Sequence, residues 1–244
     1  MAHASNKHTG AYGHSAVAKF RVTFHGRSAH AASVPHEAIN ALDAMIQLFN
    51  GVAAMRQQMR DRSRVHGVIT DGGRVPNVIP DRTEALFYLR DRDDAYLRVL
   101  EERFRNIVAG SALQTGTRAE IEPYGRGYKS NIPNSVLDRL YQAHLSELGC
   151  PVGERGVTSA ASTDMGDVSH RVPAIHPGFK AAPVGTPGHS RAFAAAGTGA
   201  EALDGMVVAA KALALTGYDV ISDPALRQEM QEAWQREVPG RPAA

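Results

Sequence analysis

The chain predicts an α/β protein whose first domain is ferredoxin-like, and three observations carry that prediction. Segments patterned β-α-β-β-α-β follow one another over residues 18–125, the order of the split βαβ fold. The first strand alternates polar and apolar residues, so its sheet has one wet face and one face covered by helices. Beyond Gly125-Arg126-Gly127 the texture changes to helices and long loops with little strand. A second region, 126–244, is therefore built differently from the first.

Taken in order, Phe20, Val22 and Phe24 form one side of the first strand and Lys19, Arg21 and Thr23 the other. Pro35 and Glu37 then open a helix with the stripe Ile39, Leu42, Ile46, Phe49 and Val52, ending near Asp61. Arg64–Thr70 reads as a strand and Asp71-Gly72-Gly73 as a turn. Pro76 and Pro80 bracket an extended stretch, since proline donates nothing to a ladder. Thr83–Arg90 is the next strand. Asp93 or Asp94 caps a helix with the stripe Leu97, Leu100, Phe104 and Ile107, and Ala119–Pro123 is a last short strand. In the second region Asn134 caps a helix carrying Val136, Leu137, Leu140, Tyr141, Leu145 and Leu148, with Gly149 closing it. Residues 150–200 read as loop with short strands such as Ala174–Phe179. Leu203, Met206, Val207, Ala210 and Leu213 mark a long helix, and Asp223-Pro224 starts another with Leu226, Met230 and Trp234. Three helices with so little strand leave apolar faces in need of cover.

Composition narrows the function classes. The 244 residues are 43% apolar, enough for a real core. The 27 basic and 25 acidic residues are interspersed, which argues against a nucleic-acid partner. The single Cys150 excludes an internal disulfide and a Cys-rich zinc site, and a cytoplasmic setting is expected. No apolar run is expected to span a bilayer, so no membrane partner is expected. Residues 1–17, with His3, His8 and His14, read as a loose, solvated lead-in without a secretory h-region.

Four segments carry more specific information: FHGRSAHAA (Phe24–Ala32), GVITDGGRVPNVIPD (Gly67–Asp81), STDMGDVS (Ser162–Ser169) and GTPGHS (Gly185–Ser190). In this order they resemble the M20 family of metallopeptidases and amidohydrolases, in the branch of aminobenzoyl-glutamate hydrolases and β-alanyl-lysine dipeptidases. The resemblance spans about residues 15–235 and implies that 18–125 is the family's lid or dimerisation domain. It implies that 126–244 is the C-terminal portion of an α/β zinc-hydrolase catalytic domain. His189 matches the family's C-terminal metal-ligand histidine at a two-zinc site; imidazole is a good zinc ligand, and a catalytic zinc needs about three protein ligands. His30 matches a lid histidine that reaches across the dimer to the other active site and donates to the developing oxyanion. Asn77 matches a substrate-binding asparagine. Arg90 matches an arginine that holds the substrate carboxylate, a group a planar guanidinium suits; Arg74, Arg82 and Arg92 compete for that role.

The implied function is metal-dependent hydrolysis of small amides bearing a free carboxylate: N-acyl amino acids, dipeptides or aminobenzoyl-glutamate. A homodimer through the lid is implied as well. The family's H-x-D motif and its Glu-Glu pair are not found among these residues. The N-terminal metal-binding half is therefore expected to lie outside them, and the chain alone is expected to be nearly inactive. The alternatives are a non-catalytic dimerisation or ligand-binding module, and one half of a two-chain hydrolase. Asp164 and Asp167 read as local caps. Glu101-Glu102 are adjacent on a helix and do not face one another, so they are not that pair. His25, His36, His66, His144 and His170 read as structural, with His176 the exception to watch.

Overall fold

The computed structural model describes residues 1–150, 152 and 161–238. Part of the loop expected over 150–200, residues 151 and 153–160, lies outside the described residues. The chain divides into two compact units, Ser15–Ser130 and a second made of Met1–His14 with Asn131–Ala244.

The first unit runs β3 (Ala16–His25), α1 (Ala41–Arg56), β4 (Arg64–Asp71), β5 (Arg82–Asp91), α2 (Asp94–Thr115) and β6 (Arg118–Pro123). Its sheet has the order β4-β5-β3-β6 with every pair antiparallel, the ferredoxin-like topology. Phe20, Val22 and Phe24 of β3 and Ala85, Phe87 and Leu89 of β5 point into one core with α1 and α2. Phe104 of α2 stands 5.0 Å from Phe87 and 5.8 Å from Phe20, ring centroid to centroid. The Asp93 carboxylate accepts the Ala95 N–H and starts α2; Gly116, left-handed at φ 69°, ends it.

The first helix departs from expectation. Pro35–Glu37 is only a 3-10 turn, because Ile39 pairs back onto Arg27 through two backbone hydrogen bonds. Asn40 therefore caps α1, its side chain accepting the Leu42 N–H, and the helix ends at Arg56 rather than near Asp61. Ala41, Ala44, Met45, Leu48, Val52 and Met55 are buried, while Ile46 faces outward at 46% exposure. The buried face is thus rotated from the expected stripe, of which Val52 alone is fully buried on the helix, and Met45, Leu48 and Met55 fill it with Ala41 and Ala44. The approach of Gly26 to the Ile39 carbonyl admits no side chain, since a Cβ there would collide with that oxygen.

The second unit contains β1 (His3–Ser5), β2 (Thr9–Ala11), α3 (Ser135–Glu147), α4 (Met165–Ser169), β7 (Pro177–Lys180), α5 (Arg191–Ala196), α6 (Ala200–Ser222) and α7 (Pro224–Glu237). The expectation of a loose lead-in is corrected by the first two of these strands. β1 pairs parallel and β2 antiparallel with β7, giving a three-stranded sheet of order β1-β7-β2. The buried Asp138 of α3 accepts the Ala11 N–H at 2.6 Å, tying the first residues to the helical layer. Ala11, Tyr141, Leu145, Ile175 and Ala212 form the core. Burial raises the unpartnered Tyr141 hydroxyl's pKa to about 12, with help from Asp138.

Helix α6 corrects a second expectation: its 23 residues are long and apolar enough to cross a membrane, by length and composition alone. In the fold it packs on α3, α7 and β7 through Ala202, Gly205, Ala209, Ala212 and Thr216. Gly205 lies so close to the Lys180 carbonyl of β7 that a Cβ would collide with it. The opposite face exposes Leu203, Met206, Val207, Tyr218 and Ile221.

Candidate functional site

His30 sits on the loop that leaves β3 and pairs with Val78 in an isolated antiparallel bridge. The Ala31 N–H donates to the Asn77 carbonyl at 3.0 Å and the Ile79 N–H to the Ala29 carbonyl at 3.0 Å. These bonds hold the two loops side by side, so His30 and Asn77 come together; both are exposed. The His30 Nδ1 accepts N–H groups from Ala32 at 3.2 Å and Ser33 at 3.3 Å. An acceptor Nδ1 assigns the proton of the neutral ring to Nε2, leaving an outward N–H donor. Cavities of about 340 and 450 Å³ flank the same loops, lined in common by Gly73, Arg74, Val75, Val78, Ile79 and Pro80.

Arg90 is elsewhere. In the β3–β5 register His25 faces Arg82 and Val17 faces Arg90. Eight residues along an antiparallel strand, at about 3.4 Å each, separate the two ends of the sheet by about 27 Å. His30 and Asn77 belong to the Arg82 end and Arg90 to the other. Of the competing arginines, Arg82 is committed to Asp71 at 3.1 Å and Glu84 at 2.7 Å. Those hydrogen bonds raise its pKa. Arg92 lines a cleft with Asp91 and Asp93. Arg74 shares the cavities beside the Asn77 loop.

In the second unit His189 is exposed and takes a left-handed backbone conformation, φ 56°, the one non-glycine residue among the described residues to do so. Ser190 then caps α5 by accepting the Phe193 N–H at 3.1 Å and donates to the Pro187 carbonyl at 2.7 Å. The loop is thus pinned at its helix end while His189 projects from it. Asp164 takes the N-cap position of α4 without a side-chain cap bond; the Thr163 hydroxyl accepts the Met165 N–H instead.

A histidine group that the sequence did not disclose lies in the same unit. His176 stacks on His14 at 5.3 Å and meets His3 edge-on at 5.6 Å, and Tyr12 stacks on His14 at 5.0 Å. His176 is buried with neither ring nitrogen hydrogen-bonded. Burial, then the neighbouring histidines, lowers the His176 and His14 pKa values to about 4, so both rings are neutral. Neutral buried imidazoles have the character of metal ligands, but these rings stack instead of converging on a point. Among the described residues no group of three or more His, Cys, Asp or Glu is arranged to hold a metal ion. The ligand set of a two-metal site is not present in them. The sequence hint was slight: His176 follows an apolar stretch, but the pairing of β1 and β2 with β7 joins it to residues more than 160 positions away.

Comparison with known proteins agrees with this architecture. Residues 12–115 match the M20 peptidase dimerisation domain. The Xaa-Arg dipeptidase of Mus musculus is 35% identical over 237 residues, 95% of this chain and 54% of that protein. A second relative, one chain of the p-aminobenzoyl-glutamate hydrolase of Escherichia coli (strain K12), is 28% identical over 276 residues. That match covers 90% of this chain and 57% of the relative. Among solved structures, the aminobenzoyl-glutamate utilization protein of Klebsiella pneumoniae superposes with a TM-score of 0.62 at 23% identity, over 97% of this chain and 55% of that one. The chain spans about half the length of the curated relatives it matches.

Proposed function

We propose, from the premise that the chain belongs to the M20 family of peptidases and amidohydrolases, that its residues serve metal-dependent hydrolysis of small amides carrying a free carboxylate. The observation that carries this reading is the His30 ring. Its Nδ1 is occupied by two backbone N–H groups, so Nε2–H faces outward as a fixed donor. A donor fixed in this way stabilises the negative charge that grows on a carbonyl oxygen under attack, and needs no reorganisation to do so. Asn77, held beside it, offers an amide to the same substrate. Arg90 takes the substrate carboxylate. His189 is proposed as a single zinc ligand, with the remaining ligands supplied from outside the described residues.

The distance along β5 gives the proposal a specific form. A small amide cannot bridge about 27 Å of strand, so one protomer cannot bring His30, Asn77 and Arg90 to one substrate. The site is therefore composite, with His30 and Asn77 from one copy and Arg90 from another. The edge strand β4 suits such pairing: Val68 and Ile69 are exposed on it, and Ile46 is exposed on α1. The opposite edge, β6, presents Arg118, Glu120 and Glu122 instead. Free strand edges are ready templates for pairing with another chain.

The test is hydrolysis of N-benzoyl amino acids and dipeptides by these residues together with the longer or second chain that supplies the remaining zinc ligands, metal-loaded, with and without chelator; the 244-residue chain by itself is expected to be nearly inactive. Chelator-sensitive release of the free amino acid is expected. Turnover that is unchanged by complete metal removal would contradict the reading.

A further inference from the structure

Between the loop that carries Asn77 and the start of α1 lies an open groove of about 450 Å³. Its apolar walls are Ala31, Leu42, Val75, Val78, Ile79 and Pro80. Val75 and Val78 are 51% and 43% exposed, apolar surface left facing water. Backbone bonds fix these walls. The Ala41 N–H donates to the Pro80 carbonyl at 3.0 Å, which ties one end of the loop to α1, and the Val78 N–H closes a turn onto the Val75 carbonyl at 3.3 Å. Gly73 is left-handed at φ 104°, and a Cβ on it would meet the Pro80 ring at 2.7 Å, so the loop closes tightly on itself. Of the polar members, Asn40 is spent on its own helix, accepting the Leu42 N–H at 3.0 Å. Arg74 stands at the wall shared with the second cavity, which is charged by Asp71, Asp81 and Arg82.

The groove adjoins the His30 donor: Val78 is the residue that pairs with His30, and Ala31 follows it in the chain. A carbonyl that accepts from His30 Nε2 has two substituents, and they leave it in different directions. The amine half carries the carboxylate to Arg90 of the other copy, so the acyl half stays on the copy that donates His30. The apolar surface next to the donor on that copy is the groove. We propose that this groove is the acyl-binding site, that it takes an unbranched aliphatic acyl chain, and that Val75 and Val78 are its specificity-determining residues. This rests on the reading of His30 and Arg90 above. Among the described residues the lining holds no aromatic ring to stack on a flat acyl group. A flexible chain lies along an open groove and removes Val75 and Val78 from water as it does so.

The experiment measures kcat/KM for N-acetyl-, N-butyryl- and N-hexanoyl-L-alanine, using these residues together with the longer or second chain that supplies the remaining zinc ligands. Each added methylene is expected to raise kcat/KM by about twofold to fourfold, the worth of a half-buried to a fully buried methylene. Val75→Thr combined with Val78→Thr, similar in shape but polar, is expected to flatten that rise. Val75→Phe, which fills the groove, is expected to reverse it, so that hexanoyl falls below acetyl. Equal values for the three acyl chains, the result if a second copy occupies the groove instead, would overturn the assignment. So would a rise that these variants leave intact. If no acyl alanine is cut at all, the functional reading fails separately, and binding decides the role of the groove. In that case NMR titration of the 244-residue chain is expected to move the Leu42, Val75 and Val78 methyl resonances with N-hexanoylalanine more than with N-acetylalanine. Identical titrations would overturn the assignment.

Discussion

His30 owes its chemistry to its own neighbours. With Nδ1 satisfied by the Ala32 and Ser33 N–H groups, Nε2 is left as the ring's outward donor. His30→Ala is expected to lower kcat by about 10²- to 10³-fold with little change in KM; steady-state kinetics on a benzoyl amide checks this. The buried pair His14 and His176 has the opposite character, held neutral by burial with pKa values lowered to about 4. Unfolded histidines take up protons near pH 6.5. As pH falls from about 6.5 toward 4 the unfolded chain therefore binds more protons than the folded one, and stability is lost. Thermal melts across that window are expected to show the loss, reduced in His176→Phe. His30, Asn77, Arg90 and His189 were singled out because each stands in a local sequence pattern; the fold brings His30 and Asn77 together and puts Arg90 at the other end of the sheet. The His3, His14 and His176 group was not, because strand pairing creates it and nothing in its spacing announces it.

At the scale of elements, strands and caps were readable and helix faces less so. Asn134, Asp93 and Asp223 cap the helices they were expected to cap, each accepting a backbone N–H. The α1 face was misread because apolar residues stand on more than one side of the helix and the stripe was drawn through Leu42, Ile46 and Phe49 instead of Met45, Leu48 and Met55, and the strands β1 and β2 were missed because three residues are too few for alternation to register. Two features of the second unit are open to test. His144 of α3 meets Asp219 of α6 at 2.6 Å and Glu147 at 3.1 Å. Burial opposes its charged form, but the hydrogen bonds to Asp219 and Glu147 outweigh it and its pKa is raised. The pair therefore stabilises fully below the unfolded value near 6.5, and the contribution disappears as pH rises through the folded value. His144→Gln is expected to flatten stability against pH on the alkaline side of 6.5, read by urea unfolding. Gly205→Ala is expected to cost about 1–3 kcal/mol, the usual range for overpacking, because α6 must move off the Lys180 carbonyl.

At the scale of the whole molecule, the ferredoxin-like topology followed from element order alone. The second unit could not be read this way, since its sheet uses the first eleven residues with a strand near position 178. The same scale holds the central claim. His30 and Asn77 lie at one end of the sheet and Arg90 at the other, about 27 Å apart by strand rise. The most direct test mixes two separately inactive proteins, His30→Ala and Arg90→Ala, under conditions that let protomers exchange. Each mixed dimer has one site with both residues intact, so activity is expected to return to about a quarter of the unaltered level at equal mixing. No recovery, with exchange confirmed by mass spectrometry of the mixed dimer, would contradict a site shared between copies.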